Sequence, residues 1–304
     1  MTRVKPQRLI SGIPGSPGIA IGPAYVERPI DIDPLSRSIA PEDAEAEVAR
    51  FQEAVDKSKR QLEAIRNRVA DFDVPEPRLI LDTHLLILED EMLIGETAAT
   101  IRRETIAAEV ALRATMDKVR AAFESITDEY FRERVNDVDQ VAERILRNLA
   151  GHVDGAPLAE RAQGHVIVHH DLTPADTALL RRGMVLGFVT DTGGKTSHTV
   201  IMARSLEIPA VVGASRATAE IDEGATLILD GGAGVVIVDP DDSTLEDYRR
   251  RKAGFEEREL RLRAGAQKPA FTRDGVRVHL HANLELPQEA LVAVGCGADG
   301  VGMF

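Results

Sequence analysis

The chain has 304 residues, 43% of them hydrophobic and 29% charged, which is enough for two domains with sizeable cores and typical of a water-soluble globular protein. A formal net charge of −13 argues against nucleic-acid or anionic-membrane binding, and the lack of Trp with only 4% aromatics argues against base-stacking platforms. No apolar run is long enough to span a bilayer, Met1 to Pro6 lacks a signal-peptide core, and one cysteine, Cys296, excludes an internal disulfide framework, so a reducing cytoplasm is the expected compartment.

In chain order, Leu9 to Val26 is rich in Gly, Pro and β-branched residues and reads as short strands and turns. From Pro41-Glu42-Asp43, a helix-start pattern, apolar residues recur at helical spacing: Val48, Phe51, Val55, Leu62, Ile65 and Val69. Pro75-Glu76-Pro77 breaks that helix. Further helical stretches run from about Arg78 to Ile101, Ala107 to Ile126 and Asp128 to Leu149, with kinks or divisions expected. Each pairs an apolar stripe with a charged face, so they should pack as a bundle. Gly151 to Pro157 reads as a linker.

The pattern then becomes α/β. His165 to Val168 is a strand, Thr173-Pro174-Ala175-Asp176 opens a short helix, and Met184 to Val189 is a buried strand. After Thr190-Asp191-Thr192 come Gly193 and Gly194, where the backbone can turn tightly. Lys195, Thr196, Ser197 and His198 follow, opening a helix over Thr196 to Leu206 that Pro209 ends. Ala210 to Val212 is a strand, and Thr226 to Asp230 with Val235 to Val238 forms a hairpin around Gly231 to Gly234. The N-terminal strands are expected to join this sheet, which makes the helical stretch an insertion. Asp242 to Ala264 reads as a solvated linking helix, Val276 to Asn283 as a strand, Pro287 to Val294 as a helix and Ala298 to Phe304 as a strand. A β-α-β start without continuation suggests a piece of a longer protein.

His198 is thus placed in the first turn of a helix after a glycine loop, where unpaired N–H groups favour an anion and an imidazole could carry a phosphoryl group. Spacing alone leaves three readings open: ordinary α/β construction, an anion site, or a nucleotide P-loop ending in Gly194-Lys195-Thr196. The P-loop fits poorly, because the required glycine position holds Val189.

The segment Gly193 to Gly213 closely resembles the phosphohistidine segment of the Enzyme I family, the phosphoenolpyruvate–protein phosphotransferases of the bacterial phosphotransferase system. The likeness extends through Ser11-Gly12-Ile13, Ser16-Pro17-Gly18-Ile19-Ala20, His84 to Glu91, Glu129 to Arg134, Asp171 to Thr177 and Gly187 to Asp191. It implies α/β plus all-α architecture. A phosphohistidine swivelling α/β domain (1–40 and 151–241) would carry an inserted helical bundle that binds the carrier protein HPr (41–150). A linker helix (242–268) and the start of a truncated (β/α)8 barrel that binds phosphoenolpyruvate (PEP) (269–304) would follow.

By the same resemblance, His198 is the phospho-acceptor and Thr177 orients its ring. Gly193, Gly194, Lys195, Thr196 and Ser197 support the phosphate. Lys195 stands where many relatives have arginine, so a bidentate fork is lost. Arg204 is open between a surface ion pair and a functional role. HPr would contact His84, Leu86, Ile87, Asp90, Glu91, Leu93, Phe131 and Arg134, an acidic and apolar patch suited to a basic carrier. Met92 falls where some relatives carry an acid, and Leu86, Ile87 and Leu93 read equally as bundle core.

The implied reaction moves phosphate from PEP to His198 and on to HPr. Mg²⁺ is expected for the full-length enzyme, with its site outside this chain. The fragment, expected to be a monomer while the full-length enzyme is a homodimer, should exchange phosphate with HPr but not react with PEP and Mg²⁺ by itself. Two alternatives are a swivelling domain of a pyruvate phosphate dikinase or PEP synthase, which lacks the helical insert, and a nitrogen-type regulatory module. His169-His170 lies where relatives have small residues and is assigned no role. His279 and His281 share a strand face but lack a third metal ligand. Cys296 does not correspond to the family's catalytic cysteine.

Overall fold

Apolar runs at positions 166–168, 187–190 and 210–212 dictate strands buried on both faces, which is the habit of parallel sheets covered by helices. The computed structural model describes residues 6–28, 38–70, 75–124, 129–151, 156–194, 197–284 and 289–303. The chain is mixed α/β and divides into two compact units. One comprises Met1–Glu27, Gly164–Asp171 and Arg182–Phe304, the other Arg28–Gln163 and Leu172–Arg181.

The first unit holds an eight-stranded sheet of β1 (Arg8–Ser11), β2 (Ile13–Ser16), β3 (Ile19–Glu27), β4 (Val166–His169), β5 (Gly187–Thr190), β6 (Ala210–Val212), β7 (Thr226–Asp230) and β8 (Val235–Val238). Their order is β1-β8-β7-β3-β4-β5-β6-β2. β3, β4, β5 and β6 run parallel to one another, β7 and β2 flank them antiparallel, and β7 and β8 form the expected antiparallel hairpin. β1 and β2 lie at opposite edges yet are separated only by Gly12, so one continuous segment nearly closes the sheet. Gly12 makes this crossing possible: a Cβ there would lie 2.6 Å from Val211 Cγ1 and 2.8 Å from the Val212 carbonyl oxygen. Alternate residues, among them Val166 and Val168, Leu227 and Leu229, and Val236 and Val238, face one core.

Two readings of strands shift. The run from Met184 is a strand only from Gly187, because Met184 and Leu186 bond instead to Gly164 and His165. The predicted strand over Val276 to Asn283 is split. β9 (Ala270–Phe271) pairs with β10 (Arg277–Val278), whereas β11 (His281–Asn283) runs parallel to β12 (Gly300–Met303). The Asp299 carboxylate causes the break, accepting from Arg277 Nη2 at 2.9 Å and from Leu280 N at 3.0 Å.

The second unit contains α1 (Ala44–Ala70), α2 (Pro75–Ile87), α3 (Glu96–Glu104), α4 (Ala108–Glu124), α5 (Glu129–Leu149), α6 (Leu158–Arg161) and α7 (Pro174–Thr177). Phe51, Leu62, Leu81, Ile101, Leu112 and Ile145 are fully buried in it. The apolar stripe of α1 skips from Val55 to Leu62, and the structure fills this gap with polar chemistry. Ser58 is fully buried, donates to the Ala54 carbonyl at 2.8 Å and accepts from Asn148 Nδ2 at 2.8 Å. Gln61 exchanges two further bonds with Asn148. A buried polar group is tolerated when it is satisfied in this way.

The stretch Arg78 to Ile101 is divided at Asp90, whose carboxylate accepts from Met92 N at 2.7 Å and caps a five-residue π-helical segment, Glu91–Gly95. Within the first unit, α8 (His198–Ser205), α9 (Ala217–Glu220), α10 (Asp242–Gly265) and α11 (Glu289–Gly295) complete the helices. The charged α10 buries no residue, as its sequence implies. Among the described residues, no helix is long and apolar enough to cross a membrane.

Candidate functional site

β4 and β5 run in parallel with His169 opposite Thr190, so the chain leaves both strands at the same end of the sheet. The loop after β5 is anchored on both sides. Asp191 N and Thr192 N donate to the His169 and His170 carbonyls, each at 3.1 Å. Gly213 N, Ala214 N and Ser215 N donate in turn to the carbonyls of Thr192, Thr190 and Asp191. Asp191 itself is buried, with Oδ1 accepting from Thr218 N at 3.1 Å and Oδ2 from the Thr218 hydroxyl. Gly193 then adopts φ +102°, a region L side chains rarely enter, and turns the chain toward α8.

His198 is the first residue of α8, and Ser197 is its extended N-cap, with φ −66° and ψ 147°. The Ser197 hydroxyl makes no capping bond, and its Oγ is buried without a hydrogen-bond partner among the described residues. The first turn therefore combines the partial positive charge of a helix start with an uncommitted buried hydroxyl, an arrangement that favours an anion. Lys195 and Thr196 lie outside the described residues. Val200 and Ala203 bury α8 in its unit.

Arg204, for which the sequence left a surface ion pair or a functional role open, has another job. Its Nε donates to the Gly15 carbonyl at 2.8 Å, and Ser16 Oγ donates to the Ala203 carbonyl at 3.3 Å. These bonds tie the C-terminal turn of α8 to β2, at the closing edge of the sheet. Arg204→Ala should lower unfolding free energy by about 2 kcal/mol, the range for a hydrogen bond from a charged donor. Urea denaturation checks this; an unchanged midpoint would show that the bond contributes nothing.

Thr177 ends α7 and is buried at 1% exposure. Its hydroxyl donates to the Thr173 and Pro174 carbonyls, both at 3.2 Å. The turn is fixed by a capping box: Asp176 N donates to Thr173 Oγ1 at 3.1 Å, and Thr173 N donates to Asp176 Oδ2 at 3.0 Å. Thr177 belongs to the helical unit and His198 to the sheet unit.

The residues expected to meet a carrier divide by burial. His84 and Leu93 are each 2% exposed, so they are core of the helical unit rather than surface. The His84 Nε2 lies 3.4 Å from Oδ1 of the partly exposed Asp137, a polar contact that the sequence did not signal. Leu86 is 68% exposed, Ile87 is half-buried, and Asp90 and Glu91 are exposed. Leu79, seven residues before Leu86 and so on the same face of α2, is also exposed, as is Met92. Phe131 and Arg134 lie on α5.

Residues 11–134 match the N-terminal family of PEP-utilising enzymes, and residues 161–234 match their mobile domain. The chain is 41% identical over 304 residues to a phosphoenolpyruvate-protein phosphotransferase of Cupriavidus necator, covering 97% of this chain and 52% of that protein. It is 39% identical to the protein of the same name from Bacillus sp. (strain S), covering 98% of this chain and 51% of that one. The chain therefore spans about half the length of these curated relatives. The solution structure of Enzyme I (nEIt) is similar with a TM-score of 0.62 and 39% identity, covering 81% of this chain and 99% of the other.

Proposed function

Because this chain belongs to the Enzyme I family of phosphoenolpyruvate–protein phosphotransferases, we propose that His198 carries a phosphoryl group between PEP and the carrier HPr. The observation that carries this reading is the placement of His198 as the first residue of α8, downstream of the Gly193 turn and after an N-cap Ser197 whose hydroxyl has no partner among the described residues. A neutral imidazole is nucleophilic near pH 7. The Nε2 lone pair of His198 attacks phosphorus, the N–P bond of phospho-HPr breaks, and the electron pair returns to the carrier's ring. Thr177 is assigned a supporting role in that transfer. Gly193 and Gly194 would admit the phosphate to the backbone N–H groups, with Lys195, Thr196 and Ser197 adding charge and donors.

In this proposal the sheet unit is the phosphohistidine swivelling domain and the helices over 41–150 are an inserted HPr-binding bundle. α10 is the linker, and 269–304 begins a PEP-binding barrel. The docking face comprises Leu86, Ile87, Asp90 and Glu91 with Leu79 and Met92 beside them, apolar and acidic as a basic carrier requires. Among the described residues, no three His, Cys, Asp or Glu side chains converge closely enough to hold a metal. Mg²⁺ is proposed to act in the PEP step. The PEP step and the homodimer are assigned to the longer enzyme, and its location to the cytoplasm.

Labelling by ³²P-phospho-HPr tests the assignment. Wild-type chain should take up acid-labile phosphate within seconds, whereas a chain labelled only by a nucleotide-driven partner domain would belong to the dikinase-like alternative. Leu86→Asp, at an exposed site, should raise KM for phospho-HPr about tenfold with kcat unchanged, the loss of one central apolar contact. An unaltered KM would place the docking face elsewhere.

A further inference from the structure

The register of β4 and β5 has a second chemical consequence. Since His169 pairs with Thr190, the next residues, His170 and Asp191, are cross-strand neighbours where the two strands end. The His170 ring is about half exposed, and its Nδ1 lies 3.3 Å from the Oδ2 of the buried Asp191. The His170 tautomer that donates to this carboxylate carries its hydrogen on Nδ1 and leaves Nε2 with the lone pair. Asp191 is itself held by both the N–H and the hydroxyl of Thr218. The backbone of His170 is held as well, its carbonyl accepting from Thr192 N and Thr192 Oγ1, each at 3.1 Å. This is the nucleophile–orienter arrangement, with the orienter locked in turn and the lone pair left on Nε2 of a solvent-exposed ring.

We propose that His170 is a second phosphoryl-acceptor site, taking phosphate on Nε2 from an N-phosphoryl donor. The natural donor would be a phosphohistidine, which rests on the phosphotransfer reading of His198. A small phosphoramidate is an independent donor. The Nε2 lone pair attacks phosphorus, an N–P bond forms, and the donor's N–P bond breaks, its nitrogen keeping the electron pair and leaving as the imidazole of a phosphohistidine or as ammonia from N-protonated phosphoramidate. The Nδ1 hydrogen stays in place, and the positive charge developing on the ring faces the Asp191 carboxylate.

The test incubates the full chain, wild type and His198→Ala, with phosphoramidate. Phosphate is located by ³¹P NMR and by peptide mass spectrometry under non-acidic conditions. The expected result is acid-labile phosphate on the His170 peptide in His198→Ala. It should vanish in the His198→Ala, His170→Gln double variant, where the glutamine amide can still donate to Asp191 and a matching thermal melt shows that the fold is kept. Label on His198 alone in wild type, with none in His198→Ala, overturns the proposal and leaves the His198 reading standing. Label on His170 without label on His198 supports it and removes that reading. No label on either residue overturns the proposal.

Discussion

Replacing His198 by alanine is expected to abolish rapid phosphoryl uptake from phospho-HPr at the head of α8, by roughly four orders of magnitude or more, as losses of covalent nucleophiles are, leaving only label on the His170 peptide. The reason is chemical rather than structural. In the proposed transfer the group bonds to a ring nitrogen before it moves on, and no neighbouring backbone donor can replace that bond. His198 heads an eight-residue helix whose burial rests on Val200 and Ala203, so truncating the first residue should leave the fold intact. His198→Asn would retain a polar side chain and be equally inactive, which separates nucleophilicity from polarity. Rapid-quench labelling reads the result. A variant transferring within tenfold of wild type would remove His198 from the reaction.

The second large effect concerns closure of the sheet. Gly231→Ala should lower stability by about 3 kcal/mol, at the upper end of the overpacking range. A Cβ at Gly231 would stand 2.0 Å from the Ser16 carbonyl oxygen and 2.9 Å from the Ala210 nitrogen. Both are backbone atoms, and Ser16 pairs with Ala210 where β2 closes against β6. No rotamer change relieves such a contact, so the β7–β8 hairpin or the closing strands must move. Gly254→Ala is the internal control: it lies in α10 with nothing within 4 Å of the added atom, and should stabilise slightly through helix propensity. Guanidinium melts with unchanged slope would measure both. A Gly231→Ala midpoint equal to wild type would show that the closing pair is loose.

Much of the fold was legible in the residues. Apolar spacing at Phe51, Val55, Leu62, Ile65 and Val69 marked a helix because one buried stripe at helical period has few other uses. Continuous runs such as Val166 to Val168 marked doubly buried strands, and the glycines of 231–234 marked the hairpin. The head of α8 was legible because Gly193 and Gly194 break the chain and a polar residue must open the helix. What stayed hidden depends on partners distant in sequence. Ser58 looks like a gap in a stripe until Asn148 arrives to satisfy it. Arg204 looks like a surface cation until Gly15 lies beside it. His84 resembles a contact residue, and Leu93 either contact or core, until the helices pack over them.

By itself, then, the sequence determined the local grammar: which segments are strands or helices, where the glycine turn falls, and that a histidine lies in the first turn of the helix after it. These are outcomes of periodicity and backbone sterics, which act over a few residues. Only the tertiary structure decided that one segment around Gly12 would serve both edges of the sheet, that Asp90 would divide a helix, and that parallel register would set His170 beside Asp191. Register and burial are properties of pairs of segments, and a hydrogen bond or a desolvated face exists only once both members are in place.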